Sequence, residues 1–174
     1  MEKISQTPRG LVAGVGSINL FQPVIDELRA SGFQDEAEIT KILRTSRTHV
    51  LTLPGGNAHL AKDRTGLFAS FVETRVRLSL FQVDDDFNPT RIQTSLQTLL
   101  PDGALPGQNT VQQEALCNGL VAAVKRDQIE KVVEHFQKYF GHFRKLHPQV
   151  VGPFFQIGIH SDAEVTITDL IPAQ

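Results

Sequence analysis

Between Phe71 and Val83 the even positions Val72, Thr74, Val76, Leu78 and Leu80 are apolar or β-branched, and the odd positions Glu73, Arg75, Arg77 and Ser79 are polar. Alternation with a period of two marks a strand with one wet face, because successive side chains point to opposite faces of the sheet. On a helix the same apolar groups scatter around the circumference. The pattern predicts one long strand over 71–83. It also predicts that Arg75 and Arg77 stand side by side on the exposed face, about 7 Å apart by strand geometry.

Two further places carry the strand signal. The run His49-Val50-Leu51-Thr52-Leu53, the turn Pro54-Gly55-Gly56-Asn57 and the return Ala58-His59-Leu60-Ala61-Lys62 predict a hairpin near 49–62, since tight turns favour residues that accept positive φ. Phe154 to His160 and Val165 to Leu170, around Ser161-Asp162-Ala163-Glu164, predict a second hairpin over 154–170. Near the start, Gly10 to Ser17 reads as a short strand running into a glycine turn.

Helical spacing governs most of the remainder. Val24, Ile25 and Leu28 predict a helix that runs toward Ala30 and stops at Ser31-Gly32. Pro23 belongs near its start, which places the first turn at Leu20 to Gln22, because a proline deeper in a helix removes a hydrogen bond and crowds the preceding turn. Gln34 or Asp35 opens a second helix through Ile39, Ile42 and Leu43 that ends near Thr45. Asn88-Pro89 is a cap followed by a first-turn proline, and predicts a helix carrying Ile92, Leu96, Leu99 and Leu100 to Pro101-Asp102-Gly103. Thr110-Val111-Gln112-Gln113 and Asp127-Gln128-Ile129-Glu130 match the capping box, predicting helices over 111–126 and 128–147 or one bent continuous helix. On the last of these, Val132, Phe136, Tyr139, Phe140, Phe143 and Leu146 form an aromatic stripe wide enough to dock on a sheet or on a twin subunit. The sum is a single α+β domain over 1–174, a mostly antiparallel sheet with about five helices packed to one side or around it. A subdomain seam, if present, falls in the linker-like stretch at 102–109.

The 174 residues suffice to bury a core without a cofactor or disulfide, and the single cysteine, Cys117, excludes an intramolecular disulfide. Eighteen apolar residues never run together, and Met1 to Pro8 lack the apolar run of a secretion signal, so a soluble, cytoplasmic protein is expected. The formal charge of -2 argues against a generic nucleic-acid binder. The charge is uneven, however. Lys41, Arg44, Arg47, Lys62, Arg64, Arg75 and Arg77 are opposed in their stretch only by Asp63 and Glu73, a formal +5 that leaves -7 for the rest.

Most motif candidates lack a defining residue. Gly14-Val15-Gly16-Ser17 suggests a phosphate cradle, yet the dinucleotide fingerprint wants glycine at position 19, which is Asn19, and no Gly-Lys-Ser/Thr follows. Asp84, Asp86 and Asn88 open with calcium-loop spacing, but the sixth position holds Pro89 and the twelfth Ser95. His49 and His59 fall on opposite faces of the predicted hairpin, and His135 and His142 lie about 10 Å apart on their helix, so neither pair can share a metal ion. His147 is on another side of that helix. Cys117 has no cationic neighbour in sequence to activate it. No serine-centred nucleophile elbow, metalloprotease helix motif or Cys-x-x-Cys pair is present.

What remains is arginine. Arg75 and Arg77, joined from nearby loops by Arg44, Arg47 and Arg64 and with His59 beside them, suit adjacent phosphates or carboxylates. The leading reading is therefore a non-enzymatic binding or regulatory module, expected as a homodimer, in which the aromatic stripe packs the core or a twin subunit and an arginine-bearing sheet face meets an acidic protein or a small anionic ligand. The rival is a small-molecule enzyme or receptor whose pocket lies near the glycine turns at 14–16 and 55–56, lined by His59 and Arg64. Nucleic acid ranks third as a ligand, no membrane is expected, and no catalytic residue, metal ligand or cofactor is assigned.

Overall fold

A computed structural model describes residues 4–53, 66–92, 118–119, 122, 128–146, 148–149, 152–161 and 164–171. The chain divides into two compact units, residues 1–93 with 158–167 and residues 94–157 with 168–174. The expected seam at 102–109 lies outside the described residues. The class is α+β, with a five-stranded antiparallel sheet, a two-stranded one, and three helices among the described residues rather than about five.

In the first unit β1 (Ile4–Thr7), β2 (Gly10–Val15), β3 (Gly66–Val72), β4 (Val76–Gln82) and β5 (Pro89–Ile92) lie in that spatial order. Helices α1 (Ile18–Ser31) and α2 (Glu36–Thr52) come between β2 and β3 in the chain. The core forms between these helices and one face of the sheet. Leu20, Val24, Leu28, Ile39 and Leu43 meet Val12, Leu67, Ala69, Phe71 and Phe81 there. Phe33, in the connection after α1, packs edge-on to Phe71 with ring centroids 5.3 Å apart.

The predicted long strand 71–83 is in fact the end of β3, a tight turn over 73–75 closed by Glu73 N–H donating to the Arg75 carbonyl at 3.1 Å, and β4. Every β3–β4 partner pair joins even to even and odd to odd, from Val72 with Val76 to Leu67 with Phe81. Alternation therefore passes through the turn without a break in phase, and periodicity alone cannot see the reversal. The faces are also the reverse of those expected. Leu67, Ala69 and Phe71 on β3 are fully buried, and they carry their odd-numbered partners Phe81, Ser79 and Arg77 onto the helix-covered face. The even positions Leu78 and Leu80 lie half-buried on the other side.

The expected hairpin at 49–62 is corrected in its first half. His49 to Thr52 are the last turn of α2, because Val50 continues the buried helical row of Ile39, Leu43 and Ser46. Packing on a helical stripe outweighs the β-propensity of a short run. The return strand and the Gly55-Gly56 turn lie outside the described residues. Asp35 caps α2 as expected, its Oδ1 accepting from Glu38 N–H at 2.9 Å. The helix predicted from Pro89 is overturned at its start, since 89–92 pair with β4 as an edge strand. An edge tolerates a proline that offers no N–H. The remainder of that helix falls outside the described residues, as does nearly all of 111–126. In α1 Pro23 is the sixth residue, deeper than expected, and so leaves the Asn19 carbonyl without its usual donor.

The terminal hairpin forms as predicted from β6 (Phe155–His160) and β7 (Val165–Leu170). Within the first unit, Gly158 approaches Leu11 and Ile4, and His160 Nδ1 lies 2.9 Å from Ser70 Oγ. In the second unit α3 (Ile129–Leu146) buries Tyr139 and Phe143 and stacks Phe140 on Phe155 at 4.4 Å. No helix among the described residues is long and apolar enough to cross a membrane.

Candidate anion-binding site

Antiparallel pairing of β2 with both β1 and β3 brings the β1–β2 and β3–β4 turns to the same end of the sheet. Gly10 partners Phe71, so Arg9 stands beside Val72. Its Nη2 donates to the Val72 carbonyl at 3.0 Å and its Nη1 to Gln34 Oε1 at 3.3 Å. Both acceptors are neutral. A guanidinium has five N–H donors in a rigid fork, so three remain available once these two are used.

Arg75 occupies the exposed β3–β4 turn and has no ion pair among the described residues. Arg77 Nη1 lies 2.9 Å from Glu73 Oε2 across the same turn. Among the described residues Glu73 pairs with Arg77 and with neither Arg9 nor Arg75. Two acidic side chains near Gln34 are committed elsewhere: Glu38 Oε2 accepts from Gln34 N–H at 2.7 Å, and Asp35 caps α2. Carboxylates at a helix N-terminus are favoured by its unpaired N–H groups and its dipole.

The structure does not bring all the expected arginines together. Arg44 and Arg47 lie on α2 against the β4–β5 turn, with Arg44 Nη2 3.1 Å from Asp86 Oδ2 and Arg47 Nη1 3.2 Å from Asp86 Oδ1. From Arg77 to Gln82, the last residue of β4, the strand alone advances about 17 Å. The two clusters are separate. Arg64 and His59 lie outside the described residues, as does Cys117. Arg9 is not among the arginines expected from the sequence, although Pro8-Arg9-Gly10, just ahead of the β-rich run from Leu11, carries the composition of a turn.

The glycine turn at 14–16 has a packing explanation. A Cβ on Gly14 would come 3.0 Å from Phe21 Cβ, so the glycine lets α1 approach β2, and Gly16, at φ 106°, turns the chain into the helix. Ser17, the α1 cap, makes no side-chain capping bond. Among the described residues no three His, Cys, Asp or Glu side chains are placed to hold a metal ion. No family model, curated protein or solved structure matches the chain.

Proposed function

We propose that this chain is a non-enzymatic binding or regulatory module that recognises an anionic group, on an acidic protein or a small ligand, at the turn end of its five-stranded sheet. Arg75 in the β3–β4 turn and Arg77 near the start of β4 contribute, in place of the exposed strand face expected for them, and Arg9 is added to them. The observation that carries this reading is the state of Arg9, a guanidinium held by two neutral acceptors with no carboxylate bonded to it among the described residues. Holding a long side chain in place before a ligand arrives reduces the ordering cost of binding. Arg75, in the β3–β4 turn, supplies a second donor set with no ion pair among the described residues, and Arg77 adds charge shared with Glu73.

The rival pocket reading has less support, because the Gly14 side of that pocket is filled by Phe21. The homodimer expectation rests on α3, whose Tyr139 and Phe143 are buried and whose Ile129 and Leu146 stay exposed.

Fluorescence anisotropy with a labelled hexaglutamate peptide tests the site. A charge-assisted hydrogen bond contributes about 1.5–3 kcal/mol, so Arg75→Glu and Arg9→Gln should each weaken binding by about tenfold or more. Equal affinity of wild type and both variants, with unchanged circular dichroism, refutes the reading. A salt series on a single-stranded oligonucleotide separates the nucleic-acid alternative, for which affinity must fall steeply with salt.

A further inference from the structure

The second arginine cluster has its own chemistry. Arg44 and Arg47 sit one turn apart on α2, and each takes one oxygen of the Asp86 carboxylate, at 3.1 and 3.2 Å. One negative charge thus bridges two positive ones. The group is accessible, with the Asp86 side chain 59% exposed and Arg44 and Arg47 49% and 34% exposed.

Each guanidinium has a second contact besides that carboxylate. Arg44 Nε and Nη2 both donate to the Asp86 backbone carbonyl at 3.3 Å. The Arg47 guanidinium lies over the Phe87 ring, 6.0 Å from its centroid, and Phe87 is fully buried. The backbone that presents these contacts is fixed in turn. Phe87 N–H donates to the Gln82 carbonyl at 2.9 Å, and the Thr40 hydroxyl shares its proton between the Glu36 carbonyl at 2.9 Å and the Phe87 carbonyl at 3.1 Å. Asp86 and Phe87 have φ of 53° and 60°, a left-handed pair rare for such residues. The site is therefore built from backbone, ring and helix, while the carboxylate that fills it needs only a side-chain rotation to leave.

We infer that Arg44 and Arg47 form an anion site for a phosphate monoester, and that Asp86 is its built-in competing occupant. A phosphate dianion carries more charge than a carboxylate and offers three oxygens, which suits two guanidinium forks better than one carboxylate does. A tethered competitor acts at an effective concentration in the millimolar range or above, so the native chain should bind such a ligand weakly until the Asp86 side chain swings out. This site is independent of the one at the turn end of the sheet.

The test uses Asp86→Asn, because asparagine accepts the left-handed conformation and keeps the side-chain shape while removing the charge. Asp86→Gly is the second variant, since glycine accepts that φ freely. Inorganic phosphate and phosphoserine are titrated into the full chain, following the arginine Nε–H resonances by NMR. Both variants should bind phosphate about tenfold more tightly than wild type, the scale expected on removing a tethered competitor. Adding Arg44→Gln should abolish the gain, and Arg75→Glu should leave it intact. Tighter binding of phosphoserine than of inorganic phosphate assigns the site to phosphorylated protein, and the reverse assigns it to free phosphate compounds; either supports the inference. Folded Asp86 variants that bind no more tightly than wild type overturn it, as does a gain that survives Arg44→Gln.

Discussion

Replacing Ser79 with alanine tests how the sheet is tied to α2. Ser79 is completely buried in β4, and its Oγ donates to Glu36 Oε1 at 2.5 Å. Arg91 of β5 reaches the same carboxylate through Nε and Nη2 at 3.4 and 3.3 Å. One side chain in the first turn of α2 thereby holds two strands. Ser79→Ala opens almost no cavity, so its cost is the lost charge-assisted hydrogen bond, about 1.5–3 kcal/mol. Arg91→Ala removes a pair whose arginine is 59% exposed and whose glutamate, 14% exposed, keeps the Ser79 hydrogen bond. Such pairs contribute at most about 1 kcal/mol. Burial therefore decides the order, and the serine, not the arginine, is the stronger tie. Tyr139 is the sole tyrosine, belongs to the second unit, and the chain has no tryptophan. Intrinsic fluorescence does not report on this sheet. Urea unfolding followed by far-UV circular dichroism, with hydrogen exchange of the β4 amides, does. With a urea slope of about 1–3 kcal/mol per molar, the Ser79→Ala midpoint should fall by about 1 M. A midpoint unchanged from wild type, or a larger loss in Arg91→Ala, refutes the reasoning.

Three further outcomes follow from the packing and charge. Gly10→Ala places a Cβ 2.0 Å from the Ser70 carbonyl oxygen and 2.6 Å from His160 Cε1. Overpacking of this kind costs about 1–3 kcal/mol or more, and β3 amide exchange should accelerate accordingly. Phe143→Ala removes a buried ring whose centroid lies 4.6 Å from that of Tyr139. It should destabilise the second unit by about 3–5 kcal/mol, read directly by Tyr139 fluorescence during unfolding. The hydrogen bond and charge of Lys138 hold the Glu134 carboxyl below its ordinary value. Any stability this pair adds is present above the unfolded pKa and lost as pH falls through the folded one. In Lys138→Gln the Glu134 titration, followed by NMR, should move up toward the ordinary carboxylate range, and an unmoved titration assigns the shift to another cause.

The fold was legible wherever local pattern and packing agree. The α3 stripe, the Asp35 cap and the terminal hairpin all formed as read, because each depends on residues close in sequence. β1 was missed because Ile4-Ser5-Gln6-Thr7 has a single apolar residue, and its pairing with β2 supplies the rest of its order. At 49–53 the β-branched residues pointed one way and the spacing of Val50 from Leu43 and Ile39 pointed the other, and the buried face prevailed. The inverted faces of β4 show a limit of alternation. A period of two separates the two sides of a strand but does not say which side a helix will cover, and Ser79 and Arg77 are polar residues on the covered side. Each is admitted there by a partner, Glu36 for the serine and Glu73 for the arginine.

Charge was legible along the chain but not in space. The +5 of Lys41 to Arg77 included Arg44 and Arg47, whose counterion Asp86 lies beyond that stretch, 42 and 39 positions away. It omitted Arg9, which reaches the end of β3 from 63 positions away. Antiparallel pairing makes such long-range neighbours routine, because it sets the two ends of distant segments side by side. A count within a window therefore assigns Arg44 and Arg47 to a surplus that Asp86 has already reduced, and misses a guanidinium that neutral groups have positioned. The arginines that the proposed recognition calls on are those whose hydrogen bonds leave their charge unmet, and that property belongs to the register of the sheet. Among the described residues Arg9 and Arg75 have it at the turn end, and Arg44 and Arg47 acquire it when the Asp86 carboxylate turns away.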